Sequence, residues 1–266
     1  MKIKIINPAD ELKQLVRYFW ILEFHMKPGE TTEIRTFVDD SSGFVFHHNN
    51  GRSAIRNDAG NIPTGIIYGQ NRQPSIATAV SSFGAVGVLF HPQAIKSLFE
   101  IDAHYLTDRV YSLDEFDKKS DLRNIILDTD DSSEKIRILS DFLTKKAREV
   151  GSPDLLVSAA LQLLSEGKVS QVKDLISYFN VSERQLERRF LASVGVSPRH
   201  YLQTMRFRTV VQFIRNNRYG RLSEIAHELD FADQPHFNRV IRKFSGLNPK
   251  RFQYYRKEEL VNLLLR

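Results

Sequence analysis

Cysteine is absent from the 266 residues. That excludes disulfides, thiolate metal ligands and a cysteine nucleophile, and it fits a reducing cytoplasm. No apolar run approaches the roughly 18 residues of a membrane-spanning helix. Met1 to Asp10 carries lysines but lacks an apolar core of signal-peptide length, so no secretory leader is expected. There is no glycine-rich phosphate loop and no G-x-S-x-G elbow, which leaves nucleotide hydrolysis and serine-nucleophile chemistry without their usual scaffolds. No catalytic residue and no cofactor is expected, and the chain does not read as an enzyme.

What is present is an uneven charge. The net charge is +6, yet residues 167–266 hold 19 Lys and Arg against 9 Asp and Glu, while the preceding residues hold 19 against 23. A cationic module joined to an anionic one points to a polyanion as partner of the first. With 41% hydrophobic residues, both parts have material for a core.

The hydrophobic period changes along the chain. Val16 to Met26, Thr31 to Val38, Gly43 to His48, Gly65 to Gly69, Ser75 to Val80 and Gly84 to His91 are short apolar or alternating runs. Turn residues such as Asn49-Asn50-Gly51 and Asp58-Ala59-Gly60 separate them, so they read as strands of a barrel or sandwich. From Pro92 the spacing becomes helical, over Pro92 to Glu100, Asp114 to Leu127 and Ser133 to Glu149. Gly151-Ser152-Pro153 marks a break, after which everything reads as helix. The expected fold is therefore α+β in two domains. Residues 1–150 form a β-barrel or sandwich of cupin-like character with appended helices, and residues 151–266 form an all-α domain.

The helical part contains a repeat. Leu186 and Phe237, Arg188 and Arg239, Gly195 and Gly246, Pro198 and Pro249, Arg199 and Lys250, and Tyr201 and Phe252 are all 51 positions apart. In the first unit, Val169 to Phe179 is a helix with Val172, Leu175, Ile176 and Phe179 inward. Asn180 suits the left-handed turn residue. Ser182 then caps a second helix, with Gln185 completing a capping box. In the second unit, Arg221 to Leu229 is the first helix, Asp230 takes the turn, Asp233 caps, and Pro235 sits in the first turn of the next helix, where no amide is missed. Helix, tight turn and capped helix is a helix-turn-helix, whose second helix enters the major groove of DNA. Pro198 to about Asn216 joins the units as a linker helix roughly 28 Å long. That length suits two reading helices spaced about 34 Å apart, one turn of duplex.

The residues left outward carry suitable chemistry. Arg bonds bidentately to guanine, and Gln or Asn to adenine. Arg184, Glu187 and Arg188 in the first unit, and Gln234, His236, Asn238 and Arg239 in the second, are the candidate base and phosphate contacts. Arg199 and Lys250, with Arg251, start the following helices and suit phosphates, which set register without reading sequence.

The stretches Val181-Ser182-Glu183-Arg184-Gln185-Leu186-Glu187-Arg188-Arg189-Phe190 and Gly195-Val196-Ser197-Pro198 resemble the first helix-turn-helix of the AraC/XylS regulators. Ile225 to Arg239, followed by Phe244-Ser245-Gly246-Leu247-Asn248-Pro249, resembles the second. The chain departs from that pattern at Ile176, where a small Ala is usual, and at Asn180 and Asp230, where Gly is usual. The resemblance implies a bacterial, cytoplasmic, nucleoid-associated transcription regulator. Its partners would be operator DNA, RNA polymerase, a small-molecule effector sensed by the N-terminal domain, and a second copy of the chain.

Trp20, Phe24, Phe37, Phe44, Phe46 and Tyr68 either line an apolar effector cavity or fill a solid core. A metal-dependent barrel enzyme would need some of His25, His47, His48, His91 and His104 to converge, but adjacent His47 and His48 should point to opposite strand faces. A basic helical surface binding a protein or an anionic surface is the remaining alternative.

Overall fold

A computed structural model describes residues 1–149, 151, 153–215, 226, 231 and 233–253. The N-terminal part is built on two antiparallel sheets. The larger, in spatial order, holds β1 (Lys2–Ile6), β2 (Val16–Phe24), β9 (Phe83–Phe90), β4 (Gly43–His48), β7 (Gly65–Tyr68) and β10 (Val110–Ser112). The smaller holds β3 (Thr32–Thr36), β8 (Ser75–Ala79), β5 (Ile55–Asn57) and β6 (Gly60–Asn61).

Strand alternation gives the larger sheet two apolar faces. Tyr18, Trp20 and Leu22 of β2 join Phe83, Ala85 and Leu89 of β9 and Ala79 of β8 in a core between the sheets. The alternate residues, Phe19, Phe44, Phe46, Val86, Val88 and Phe90, face a helical layer. Burying both faces requires a cover on each side, which is why the helices pack on this sheet. Opposite Trp20 stands Gly87, where a Cβ would come within 2.4 Å of the indole, so only glycine fits.

The covering helices are α1 (Ala94–Phe99), α2 (Leu113–Phe116), α3 (Leu122–Asp128) and α4 (Ser132–Glu149). Ile136, Leu139 and Leu143 of α4 are buried against the sheet, with Phe44 and Phe99 in ring contact at 5.6 Å. The single helix expected over Asp114 to Leu127 is two short ones. The polar run Asp117-Lys118-Lys119-Ser120-Asp121 interrupts it, with Asp117 in a non-helical conformation.

The C-terminal part is helical: α5 (Leu155–Ser165), α6 (Val172–Phe179), α7 (Glu183–Val194), α8 (Pro198–Arg215), α9 (Gln234–Ser245) and α10 (Pro249–Gln253). One core joins α5, α6, α7 and Tyr201 of α8. A second joins Phe207, Val210 and Val211 of α8 to Phe237, Val240, Ile241 and Phe244 of α9. Phe37 and Val38, from the loop after β3, lie inside that second core. Among the described residues no helix is long and apolar enough to cross a membrane.

Candidate nucleic-acid interface

The first unit is shaped by its turn. Asn180 ends α6 in the left-handed conformation (φ 49°), and its amide donates to the Ile176 carbonyl. Two residues later Ser182 Oγ accepts the Gln185 amide at 3.2 Å, opening α7. Leu186 and Phe190 are fully buried, so α7 sits with one face in the core. Arg184, Glu187 and Arg188 therefore fall on the solvent face, all exposed and, among the described residues, without an ion-pair partner. Arg189 behaves differently. Its Nε donates to Asp154 at 2.8 Å, while the other oxygen of Asp154 caps α5 through the Leu156 and Val157 amides. It ties α7 to α5 and is not free to read DNA.

The second unit repeats the local chemistry. Asp233 accepts the His236 amide as N-cap, and Pro235 occupies the first turn of α9. Phe237, Ile241 and Phe244 are fully buried. Gln234 and Arg239 are exposed, and His236 and Asn238 are half-buried. His236 rests against Phe231, with ring centroids 5.5 Å apart. Ala226 is buried in the same core. The rest of the expected first helix, Arg221 to Leu229, and its turn residue Asp230 lie outside the described residues.

The duplication extends to the exits. Gly195 (φ 95°) and Gly246 (φ 69°) each end their helix in the left-handed conformation, which glycine adopts without steric cost. Ser197 Oγ then accepts the His200 amide at 3.2 Å, and Asn248 Oδ1 accepts the Arg251 amide at 3.0 Å. Pro198 and Pro249 start the next helices, placing Arg199 and Lys250 exposed in their first turns.

The sandwich grips both units. Thr107 Oγ1 donates to the Gly195 carbonyl at 2.7 Å. The Val38 amide donates to the Phe244 carbonyl at 3.0 Å. Asp40 accepts from Arg17 of β2 and from Tyr201 and Arg208 of α8, the last two at 3.3 Å. Burial pushes the Asp40 carboxyl up, but the Arg17 and Arg208 charges overcome this and hold it at about 2. Nothing local in the sequence marks Asp40; its partners are 23, 161 and 168 positions away.

The six aromatics read as a possible effector cavity do not share one. Trp20 and Phe24 belong to the inter-sheet core, Phe44 and Phe46 to the helix-covered face, and Phe37 to the core of the second unit. Tyr68, at the end of β7, is a phenol whose titration burial pushes up. Strand alternation separates them, since successive residues of a strand face opposite sides of the sheet and these aromatics occupy positions on both sides. Space exists elsewhere. A cleft of about 890 Å³ opens between the sandwich and the C-terminal helices, lined in part by Arg17, Asp40, Gln93, Ser158, Tyr201 and Arg208.

The histidines do not gather. His47 faces Phe83 between the sheets at 6.1 Å, whereas His48 on the opposite face lies 3.3 Å from Lys135 of α4. Among the described residues no three His, Asp or Glu side chains are grouped so as to hold a metal ion.

The family model for a helix-turn-helix domain matches residues 175–254, and that for a domain of unknown function (DUF6597) matches residues 4–112. The HTH-type transcriptional regulator GbdR of Pseudomonas aeruginosa is 30% identical over 98 residues, 37% of this chain and 26% of the relative. The HTH-type transcriptional activator RhaR of Yersinia pseudotuberculosis is 29% identical over 100 residues, 38% of this chain and 33% of the relative. The chain thus spans about a quarter to a third of the length of these curated relatives. Among solved structures, ToxT from Vibrio cholerae O395 superposes with a TM-score of 0.45 at 16% identity, over 89% of this chain and 97% of that one. Unsaturated fatty acid bound wild-type ToxT from strain SCE256 does so with 0.43 at 14%, over 92% and 96%.

Proposed function

We propose, from the premise that the chain belongs to the AraC/XylS family through its C-terminal helix-turn-helix domain, that it is a sequence-specific DNA-binding transcription regulator reading two adjacent major-groove segments. One observation carries this. Two capped helices, α7 and α9, are anchored by buried phenylalanines and turn to solvent arginines that have no ion-pair partner among the described residues.

In this reading Arg184 and Arg188 of α7, and Gln234, Asn238 and Arg239 of α9, address base edges. Glu187 accepts from cytosine, and His236 reaches a base or a phosphate. Arg199 and Lys250, exposed in the first turns of α8 and α10, meet phosphates. Residues 1–150 act as the sensing and oligomerisation domain and residues 151–266 as the reading domain. The space that suits a small-molecule effector is the cleft beside Asp40, where occupancy bears directly on Arg208 of the linker helix. RNA polymerase and a second copy of the chain are further partners in the same reading. The protein works in the cytoplasm on the nucleoid, and it is a regulator and not an enzyme.

The test is selection of bound duplexes from a random library with the full chain, followed by footprinting at several salt concentrations. Two protected segments about one helical turn apart, with affinity falling steeply as salt rises, are expected. Equal affinity for every duplex, or for anionic lipid vesicles, would overturn the reading.

A further inference from the structure

A second cleft, of about 650 Å³, lies where the sandwich meets the second reading helix. Arg72, Gln73 and Pro74 enter it from the loop between β7 and β8, His200 from α8, and Arg242 and Lys243 from the last turn of α9. We propose that this cleft is a binding site for a phosphoryl group.

The charges there are not balanced. Asp108, whose charge reaches His200, is already taken: it accepts from Arg72 Nε at 2.7 Å and from the Arg72 amide. Lys243 donates to a neutral group, Gln203 Oε1, at 3.2 Å. Arg242 has no ion-pair partner among the described residues and is exposed. Arg35 stands nearby at Gly246 but is paired with Glu33 at 2.7 Å, so the uncompensated charge is that of Arg242 and Lys243. Cations of two domains thus face one another, although the sandwich half of the chain is acidic overall. Like charges set across an interface cost free energy unless a counter-charge joins them.

His200 supplies the second observation. Its ring stacks on Phe244 at 5.5 Å, and its Nε2 is buried without a hydrogen-bond partner. A buried imidazole nitrogen left unsatisfied is costly, and an oxygen acceptor entering the cleft would relieve it. Burial, then Lys243 and Arg72, hold the protonated ring down to about 4, against a weaker pull from Asp108. An anion in the cleft offsets the Lys243 and Arg72 charges and so favours the protonated ring.

The donor set selects the ligand class. Two guanidinium forks, an ammonium and an imidazole N–H converge from three elements, which matches the three oxygens and double charge of a phosphoryl group better than the two oxygens of a carboxylate. Bound there, it would turn repulsion between the sandwich and α9 into attraction. The site lies at the C-terminal end of α9, away from the Gln234 end, so it stands independently of the DNA-reading proposal. The phosphoryl group has two sources: a free phosphorylated small molecule, or the backbone of a duplex.

The experiment follows the His200 ring resonances of the full chain, assigned by their loss in His200→Gln. Inorganic phosphate and pyrophosphate are titrated at fixed ionic strength, and a duplex is titrated separately in phosphate-free buffer. A saturable shift with phosphate or pyrophosphate, and a raised His200 pKa, are expected. Arg72→Gln and Arg242→Gln, both at exposed side chains, each weaken the response about tenfold or more. Arg56→Gln, an exposed cation on the smaller sheet, leaves it unchanged. A response to the duplex that pyrophosphate competes away assigns the phosphoryl group to the DNA backbone; a response to the free anions alone assigns it to a small molecule. The proposal is overturned if neither source shifts His200 saturably, if chloride at equal ionic strength does the same, or if the two cleft variants respond like the parent chain.

Discussion

Tyr201, on the helix that leaves the first reading unit, donates its hydroxyl to Asp40 of the sandwich at 3.3 Å. Arg208, two turns further along the same helix, reaches the other carboxylate oxygen. Asp40 is therefore the shared acceptor through which β2, the loop after β3 and the linker helix are held together. Its partners are not equivalent. Arg17 is its closest partner and is itself largely buried, whereas Arg208 is about a third exposed. Asp40→Asn strands the buried Arg17 charge and should cost about 3–5 kcal/mol. Arg208→Gln removes only the tie between domains and should cost about 0.5–1.5 kcal/mol. Chemical denaturation measures both. Hydrogen exchange should show faster opening of α8 in Arg208→Gln with the sandwich unchanged. Equal cost in the two variants would show that the carboxylate is not the hub described.

The reading faces separate binding from stability. Arg188 and Arg239 are exposed and have no ion-pair partner among the described residues, so replacing either with Ala should move the unfolding midpoint very little. Against the selected operator each should lose about 1–3 kcal/mol of affinity and relax preference at one base position. Arg189→Ala should do the reverse, loosening the contact between α7 and α5 at Asp154 while sparing base preference. Fluorescence anisotropy on the operator and its single-base variants, beside thermal melts, reads both quantities.

Much of this was legible from spacing alone. The six strands read from alternation are present within a few residues, because one-faced or two-faced burial imposes period two. Ser182 and Asp233 stand where their side chains cap helix starts, and Asn180 where its left-handed backbone ends one, local requirements that sequence states directly. What failed was non-local. β1, an edge strand of KIKII, carries lysines toward solvent, and β5, β6 and β10 have only two or three residues, too few to show a period. The aromatic set failed because composition does not say which side of a strand faces which layer. Phe37 leaves the sandwich altogether to enter another core.

Acid should weaken the fold before its carboxylates titrate. His47 is buried between the sheets, and burial lowers it from 6.5 to about 4, against a weak pull from the Pro63 carbonyl. Burial and the Lys135 charge lower His48 as well, with Asp130 opposing. A group with a lowered folded pKa binds its proton more readily when unfolded. Its contribution is therefore complete above pH 6.5 and is lost as pH falls toward 4. For His47 the slope reaches about 1.4 kcal/mol per pH unit inside that window. Urea titrations at pH 7.5, 6.0 and 5.0 should show stability falling with pH, and His47→Leu should flatten the dependence. A parent chain equally stable at pH 7.5 and 5.0 would show that the imidazole is not held neutral by its surroundings.

Phe37 offers the sharpest test of whether the sandwich controls the second unit. Its ring is buried against Phe207 and Phe252 at 6.1 and 5.3 Å, and the neighbouring Val38 amide bonds the last turn of α9. Phe37→Ala removes most of that contact and should cost about 3–5 kcal/mol. Phe44→Ala, in the helix-covered core, should cost a similar amount. The two differ in where the loss is felt. Hydrogen exchange in Phe37→Ala should rise over residues 234–253, while residues 183–194 of the first unit keep their protection. Phe44→Ala should leave 234–253 as in the parent chain and loosen α4. Operator affinity should change in Phe37→Ala at temperatures where both variants remain folded, because only there does the sandwich lose its hold on α9. If both variants alter exchange and affinity alike, the loop after β3 is packing and nothing more, and the two domains communicate through Asp40 and α8 instead.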